Sequence, residues 1–447
     1  MLSYRVATTP MTTTTNIAEA LTNITGPEHV RPGDPIEVSP ANTQQISEIL
    51  QYANQNQLTL TPTGGNTKQT WGNPTKTNIH LDLTRLNKVI EHPWQDLTCT
   101  VQTGCTWATL QQTLKKHGQF VALDPLWPEK ATVGGILATN DSGALRHRYG
   151  SHRDLIIGMT IVLADGTIAR SGGKVVKNVA GYDLCKLLTG SLGTLAIITE
   201  ATFRLHPLPQ NPQTFTVSAP QAAQLAPLMA DIRASHLLTQ ALQFRGDANG
   251  FHLDIQLNAH PEAKQADILQ KMTESASLKL ETLFASENQI APKRNDGGSS
   301  GLQAAEFNPT REVGFSPGSF DNVWTARESL FGRNEAFTLK LTMPPTAIPE
   351  ISEYLSRCEA TSVTQSIGIT YAELPAPDHN SVMRIEILED LLEKDGGSLT
   401  ILKEPISLQH DLREILRTPG TVPLMQAVKH QFDPNRTLNP GRFLGGI

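Results

Sequence analysis

Residues 61–72, TPTGGNTKQTWG, are suited to binding an anion through main-chain amides. The paired glycines permit backbone conformations and close approaches that a side chain would block. The asparagine, threonine and lysine that follow add further donors, and successive amides in such a nest converge on phosphate oxygens. By itself this segment is weak evidence, because a tight turn has a similar composition.

A second segment, residues 126–209, is dense in paired glycines, small hydroxyl and amide residues and short apolar runs. A polar ligand wrapped mainly by main chain requires this composition, and a loop-rich domain with many turns is the competing interpretation. Neither GxGxxG nor GxxxxGK[ST] occurs in the chain. Their absence argues against a Rossmann dinucleotide site and against a P-loop nucleotidase.

The two segments together resemble the FAD-binding domain of the vanillyl-alcohol oxidase (PCMH-type) flavoproteins. The likeness rests on residues 63–72, 131–143 and 177–205 and on the tail QFDPNRTLNPGRF at 431–443. Within that superfamily the chain resembles the FAD-binding E subunit of glycolate oxidase, also called glycolate dehydrogenase. The resemblance implies an α+β fold, in which a PCMH-type FAD-binding domain of two subdomains is followed by a ferredoxin-like cap domain with an antiparallel sheet.

The resemblance also implies which residues bind FAD. The first glycine loop would cradle the pyrophosphate, the second glycine pair and its neighbours would follow the pyrophosphate and flavin, and Ile198 would lie near the adenine or ribose. The expected FAD-binding residues are Pro62, Thr63, Gly64, Gly65, Asn66, Thr67, Lys68, Gly72, Thr132, Val133, Gly134, Gly135, Thr139, Asp141, Ser142, Gly143, Asn178, Gly181, Ile197 and Ile198.

We expect the FAD to be bound non-covalently. Some relatives tether the flavin through a histidine just after the first glycine pair, where this chain has Asn66. Others use a cysteine shortly before the second glycine pair, and residues 124–133 contain none. His147 and His152 lie near the second segment, where we interpret them as surface or loop residues.

The sequence assigns no catalytic residue and no metal site. D-2-hydroxy-acid dehydrogenases of this superfamily carry an HxGDGNxH-like motif in the cap, whose histidines bind a metal and act on the substrate hydroxyl. The nearest string here, RGDANGFH at 245–252, lacks the first histidine and predicts a turn between two strands. Side chains that could face either an anionic substrate or solvent are Arg146, Arg148, Tyr149, Arg153 and Lys177.

Hydrophobic periodicity predicts the elements of the FAD domain. Ser39 and Pro40 indicate the start of a helix with Ile46, Ile49, Leu50 and Ala53 on one face, and Thr106 starts a helix that Gly118 closes. Strands are predicted at 58–62, 79–83, 97–103 and 194–205, with a hairpin at 161–169. Asp165-Gly166 suits a type I′ turn in that hairpin.

After Pro209 the pattern becomes βαββαβ, which is typical of a ferredoxin-like fold. A second, imperfect set follows, so the cap would consist of two such halves that share one antiparallel sheet. The predicted strands are 213–219, 240–246, 250–257, 279–284, 336–342, 362–373 and 398–404. The predicted helices are 219–236, 260–274, 347–359 and 381–395.

We therefore expect four regions in the chain. These are an N-terminal extension at 1–29, the FAD domain at 30–209, the cap at 210–420 and a tail at 421–447 that returns to the FAD domain. Residues 286–305 are polar and rich in Gly, Ser and Asn, which indicates a flexible surface insertion. Met11 is expected to be the true initiator.

Composition indicates which kinds of partner and which cellular compartment to expect. The net charge is −6 and no basic run occurs, which argues against nucleic acid. No run of 18 or more apolar residues occurs, and the N-terminus lacks the apolar core of a signal peptide. Membrane association is therefore expected only through partners. The four cysteines form no CxxC. We therefore expect them to be buried thiols in the cytoplasm, with no iron–sulfur cluster on this chain.

Three functions remain open from sequence. By resemblance, the chain is the FAD-binding subunit of a glycolate dehydrogenase complex, with a D-type flavoprotein and an F-type iron–sulfur subunit as partners. The second possibility is a self-sufficient FAD-dependent oxidase or dehydrogenase for another hydroxy acid or alcohol. The third is a scaffold subunit with a vestigial flavin site, which would be isolated without colour.

Overall fold

The structure is a computed structural model that describes residues 11–173, 183–258, 264–284, 322–375, 380–405 and 419–447. Within these residues the chain forms two compact units. Unit 1 contains residues 11–143, 149–173, 183–206 and 419–447. Unit 2 contains residues 144–148 and the described part of 207–405. The insertion predicted at 286–305 lies outside the described residues.

The helices and strands between Met11 and Pro207 are as follows. The helices are α1 (Met11–Thr25), α2 (Thr43–Gln55), α3 (Trp107–Lys115), α4 (Val133–Thr139), α5 (Arg146–Tyr149), α6 (His152–Leu155) and α7 (Leu184–Leu188). The strands are β1 (Val30–Arg31), β2 (Ile36–Val38), β3 (Leu60–Thr63), β4 (Ile79–Asp82), β5 (Val89–Glu91), β6 (Thr98–Gln102), β7 (Gln119–Phe120), β8 (Ile156–Val162), β9 (Ile168–Gly172), β10 (Ile197–Arg204) and β11 (His206–Pro207).

The remaining elements belong to unit 2, apart from the last helix, which belongs to unit 1. The helices are α8 (Ala222–Ala234), α9 (Gln265–Ser275), α10 (Asn322–Ser329), α11 (Ile348–Arg357), α12 (Ser381–Lys394) and α13 (Val422–Phe432). The strands are β12 (Pro212–Ala219), β13 (Thr239–Asp247), β14 (Gly250–Asn258), β15 (Leu280–Phe284), β16 (Phe337–Thr342), β17 (Thr361–Gln365), β18 (Ile369–Leu374) and β19 (Ser398–Lys403).

Two sheets organise unit 1. The first has the order β1-β2-β4-β3, and both β2 and β3 run parallel to β4. The second is antiparallel, with the order β5-β6-β10-β8-β9. The apolar face predicted for α2 is buried in the core of the first sheet, together with Leu60 of β3 and Ile79 of β4. This packing fixes the end of β3, from which the first glycine loop leaves.

The predicted start of α2 was wrong by a few residues. The helix begins at Thr43, and the Asn42 side chain accepts a hydrogen bond from the Gln45 N–H at 2.9 Å. The Ser39 hydroxyl instead donates to the Asp82 carboxylate at 2.9 Å. Ser39 therefore does not cap α2, because its hydroxyl is hydrogen-bonded to Asp82 of β4.

Two turns also differ from the prediction. The hairpin of β8 and β9 is confirmed, but among its turn residues only Gly166 has a positive φ, +86°, so the turn is not type I′. The strand predicted over 362–373 is two antiparallel strands, β17 and β18. They reverse at Gly368, whose φ of +92° and close approach to the Met343 carbonyl exclude a side chain there.

Unit 2 is built on one antiparallel sheet of eight strands. Its order is β15-β12-β14-β13-β17-β18-β16-β19, so the two halves meet where β13 pairs with β17. Gln243 lies opposite Gln365 at this junction. The prediction that two halves share an antiparallel sheet is confirmed. In the described part of the chain, no helix is both long and apolar enough to cross a membrane.

Seven helices of the described residues were not predicted, namely α1, α4, α5, α6, α7, α10 and α13. α1 begins with a threonine-rich stretch of low helix propensity, yet its Leu21 is fully buried. α10 lies between the insertion predicted at 286–305 and the strand predicted at 336–342, and α13 falls in the tail, for which only the resemblance offered an expectation. Tertiary packing and not local propensity favours such helices.

Candidate FAD-binding site

A cleft in unit 1 brings the two glycine segments together. Its volume is about 790 Å³, including the space open to solvent. The predicted residues that line it are Pro62, Thr63, Gly64, Gly65, Asn66, Thr67, Lys68, Thr132, Gly134, Gly135, Thr139, Ile197 and Ile198. The residues that line it without having been predicted are Gln69, Leu83, Thr103, Ala138, Ser191, Leu192, Gly193, Ala196, Asn439 and Arg442.

The first glycine loop is pressed against the segment that precedes α4. A Cβ on Gly65 would lie 1.7 Å from the Lys130 carbonyl oxygen, and a Cβ on Gly64 would lie 2.4 Å from the Thr132 hydroxyl. No side chain fits at these distances, so both positions require glycine. The two glycine segments thus form adjoining walls of one cleft.

The same loop presents unused donors. Asn66 has a φ of +54°, in the left-handed region that asparagine tolerates. Within the described residues, the amides of Gly65, Asn66 and Thr67 donate to no acceptor. Adjacent amides without partners on a concave wall fit a pyrophosphate, which offers only acceptor oxygens. The Asn66 side chain is an amide, which cannot tether a flavin covalently.

Lys68 lines the cleft, but its ammonium is held inside the protein. The Nζ atom lies 3.2 Å from the Asp141 Oδ2 and 3.2 Å from the Leu126 carbonyl oxygen. It also lies 5.3 Å from the centroid of the Trp127 ring. Lys68 therefore anchors the loop through an ion pair, and Asp141 is the partner of that anchor.

The second glycine segment forms the start of α4. Thr132 is its N-cap, and the side chain accepts a hydrogen bond from the Gly135 amide at 3.4 Å. The Gly134 N–H donates to the Thr103 carbonyl at 2.8 Å, and the Thr103 hydroxyl donates to the Ile198 carbonyl at 2.6 Å. Thr103 thereby connects α4 to the first residues of β10, which line the same cleft.

Several predicted site residues support the lining from behind. Val133, Asp141 and Ser142 are buried, and the Gly143 amide donates to the Asp124 carboxylate at 3.1 Å. Gly72 has a φ of +81°, and a Cβ there would lie 2.7 Å from the Arg442 carbonyl oxygen. Asn178 and Gly181 lie outside the described residues, as does Lys177.

Arg442 lines the cleft, although it was not among the residues predicted to bind FAD. Its guanidinium donates to the main-chain carbonyls of Gln69 at 2.9 Å and Lys68 at 3.4 Å. Burial lowers its pKa to about 10, so it remains a cation at neutral pH. The NPGRF string in the tail was the only available signal, because these partners are more than 370 residues away along the chain.

The histidines and cations near α5 and α6 have separate environments. His152 is fully buried and lies 3.1 Å from the Asn140 side-chain oxygen, so the surface or loop interpretation was wrong for it. His147 contacts the Ser366 hydroxyl at 2.9 Å, and burial lowers its pKa. Arg148 and Arg153 are exposed, Arg146 is half-buried, and Tyr149 packs its ring against Phe120 and His206.

The string RGDANGFH forms the predicted turn, between β13 and β14. Arg245 donates to the Asp254 carboxylate at 2.6 and 3.0 Å, and hydrogen bonding to that carboxylate raises the arginine pKa against the effect of desolvation. His252 lies 2.8 Å from the Ser218 hydroxyl. Across the described ranges, no group of three or more metal-binding side chains was found.

Unit 2 also contains a cluster of two cations around one aromatic ring. The Arg327 guanidinium carbon lies 5.0 Å from the centroid of the Tyr371 ring, and the Lys340 Nζ lies 5.9 Å from it. Arg327 is only 6% exposed, which is rare for an arginine. No sequence pattern revealed this cluster, because its members come from α10, β16 and β18.

Known proteins share both the sequence and the fold. The family described as FAD binding domain matches residues 35–172. The glycolate oxidase subunit GlcD of Bacillus subtilis (strain 168) is 32% identical over 91% of this chain and 88% of the relative. The D-lactate dehydrogenase of Anaerostipes hadrus is 27% identical over the same shares. Substrate-bound p-cresol methylhydroxylase superposes with a TM-score of 0.68 at 14% identity, over 97% of each chain.

These findings confirm the fold, the cofactor and the family expected from sequence. The fold neighbour has the PCMH-type architecture, and the cleft with its free amides fits FAD. The glycolate oxidase relative matches nearly the whole chain, well beyond the FAD domain. The chain therefore belongs to the glycolate oxidase family of FAD-dependent oxidoreductases with a PCMH-type FAD-binding domain.

Proposed function

We propose that the chain oxidises glycolate to glyoxylate as the FAD-binding subunit of a glycolate oxidase or dehydrogenase complex. The reaction removes two electrons and two protons from the hydroxy acid. FAD, when bound, accepts the two electrons and releases them one at a time or as a pair. By the resemblance to glycolate oxidase complexes, the carrier that receives the electrons would be an iron–sulfur partner subunit.

The similarity to a glycolate oxidase subunit along nearly the whole chain is the observation that carries this proposal. Because this relative is itself the subunit GlcD, experiment has to decide whether the chain needs a separate D-type partner.

A self-sufficient dehydrogenase for a 2-hydroxy acid is the second candidate. The observation that favours it is the match to a D-lactate dehydrogenase over 88% of that protein. A scaffold with a vestigial site would have no reason to keep three unused amides on the cleft wall. We therefore expect the purified chain to be yellow under either candidate.

The deciding experiment is anaerobic reduction of the purified, FAD-loaded chain by glycolate, D-lactate and L-lactate in parallel. Loss of the visible flavin absorbance with glycolate supports oxidation of the hydroxy acid by this chain. Bleaching by D-lactate alone would move the function to the second candidate. Ethylene glycol is the matched control, because it has the same carbon skeleton as glycolate but no carboxylate. Bleaching by ethylene glycol as fast as by glycolate would contradict recognition of an acid.

The role of partners is tested on the same preparation. If the chain is a subunit of a complex, reduced flavin should be reoxidised slowly by small acceptors and rapidly when an iron–sulfur subunit is added. Bleaching that requires a D-type partner would support the E-type role. Rapid turnover with artificial acceptors and no partner would contradict the subunit assignment and leave the oxidation itself intact.

A further inference from the structure

Two residues of the C-terminal segment, Asn439 and Arg442, line the FAD cleft. Leu438 is paired with Leu60 of β3, the Leu60 N–H donates to the Thr437 carbonyl at 2.7 Å, and the Asn439 N–H donates to the Leu60 carbonyl at 2.9 Å. These bonds extend the first sheet by a short stretch of the tail. They place Asn439 next to the strand from which the first glycine loop leaves.

A buried polar network fixes this segment. The Lys429 ammonium donates to the Asp433 carboxylate at 2.6 Å and to the carbonyls of Thr194 at 2.7 Å and Leu438 at 2.8 Å. The Asp433 carboxylate in turn accepts the N–H groups of Thr437 at 2.9 Å and Leu438 at 2.8 Å. Both side chains are buried, so the position of the residue that follows is closely defined.

Only one of the two polar atoms of the Asn439 side chain has a hydrogen-bond partner among the described residues. Its Nδ2 donates to the Leu192 carbonyl at 2.8 Å, which sets which way the amide faces. Its Oδ1 is buried and accepts no hydrogen bond from any described residue. The residue is 2% exposed and lines the cleft. A buried amide oxygen without a donor opposes folding, so such a group in a native protein calls for a partner from outside the chain.

We propose that the Asn439 Oδ1 accepts a hydrogen bond from an N–H or O–H group of bound FAD. The cofactor offers the adenine amino group, the flavin imide N–H and the hydroxyls of its ribose and ribityl chain. The pyrophosphate is excluded as the partner, because it has no donor at neutral pH and would repel an amide oxygen. The tail thus supplies a cofactor contact that neither glycine segment can make. The proposal depends on FAD binding and is independent of the substrate.

The geometry also explains the choice of asparagine. The φ of Asn439 is +42°, a region in which glycine and asparagine are favoured. Glycine would suit this backbone equally well and would leave no buried oxygen. Asparagine at this position leaves a buried acceptor unsatisfied, which is consistent with a ligand that pairs with it.

The test is FAD affinity of the full-length apoprotein, measured by quenching of flavin fluorescence without substrate. Asn439→Leu keeps the side-chain shape and removes the Oδ1 acceptor together with the Nδ2 donor to Leu192. Kd for FAD should rise roughly 3- to 10-fold, as expected for one neutral hydrogen bond. Asn435→Leu is the control, because Asn435 is an exposed asparagine of the same tail that bonds only to Asn54. Its Kd should be unchanged.

Thermal unfolding with and without FAD separates cofactor binding from a structural role. Asn439→Leu should reduce the rise in Tm that FAD produces, whereas a purely structural role would lower both Tm values equally and leave Kd unchanged. The latter result would overturn the proposal. If the leucine variant fails to fold, Asn439→Ala removes the same oxygen without adding bulk and is judged by the same two readouts. A parent chain that is inactive toward glycolate but binds FAD normally would contradict the proposed function and leave the proposal for Asn439 unaffected.

Discussion

Lys68 and Asp141 form a buried ion pair between the first glycine loop and the residues that follow α4. The Nζ and Oδ2 atoms are 3.2 Å apart, and the two side chains are 4% and 0% exposed. Asp141 also accepts the Leu126 N–H at 2.8 Å. Because removing both charges from water largely offsets their attraction, the pair contributes more to the position of the loop than to net stability.

Breaking this pair from one side should nevertheless be costly. Asp141→Asn leaves the Lys68 ammonium buried without a carboxylate, and we expect a loss of about 3–5 kcal/mol in the free energy of unfolding. Urea unfolding followed by circular dichroism measures it. Glu37→Gln is the control, since the Arg31–Glu37 pair is exposed and should be worth less than about 1 kcal/mol. Equal losses in the two variants would contradict a buried, positioning pair.

Gly65→Ala should disable the cofactor site. The new Cβ would lie 1.7 Å from the Lys130 carbonyl, so the loop has to move and its free amides lose their alignment. We expect a stability loss of about 1–3 kcal/mol and a protein purified with little or no FAD. Gly420→Ala is the control, because nothing lies within 4 Å of a Cβ there. An alanine variant with a normal flavin-to-protein ratio would show that the close approach is not required.

The sequence was informative where neighbours along the chain determine the outcome. Glycine pairs followed by short polar residues make a nest by local geometry, and the buried face of α2 follows from its periodicity. The cap position of α2 was mispredicted because Asp82, from another strand, captures the Ser39 hydroxyl. The prediction of a single strand over 362–373 was wrong, because the chain reverses at Gly368 within an otherwise continuous β-type pattern.

The rest of the site could not be read from local patterns. Asn439 and its partner Leu192 are 247 positions apart, and no periodicity relates them. The ion pair of Lys68 was not foreseen for a related reason, since a lysine after a glycine pair suggests a phosphate contact. Its buried ammonium pairs with Asp141, which lies 73 positions away along the chain.

Alkaline stability should depend on the buried thiols of Cys99 and Cys105. Burial, the largest cause, raises the pKa of Cys99 to about 12 and that of Cys105 to about 11, from an ordinary value of 9.0. Below pH 9 both thiols are protonated in the folded and the unfolded chain, and their contribution to stability is fully present. Above it only the unfolded chain ionises, so stability falls as pH rises toward the folded pKa values.

The pH dependence of unfolding for Cys99→Ala tests this coupling. Each thiol should remove about 1.4 kcal/mol per pH unit above its unfolded pKa, so the variant should show a shallower alkaline decline than the parent. The alanine also leaves a cavity, which lowers stability at every pH, so the comparison is between slopes and not between absolute values. Urea unfolding at several pH values from neutral upward supplies the slopes. Parallel curves would mean that Cys99 ionises as easily in the folded chain as in the unfolded one, contrary to its complete burial.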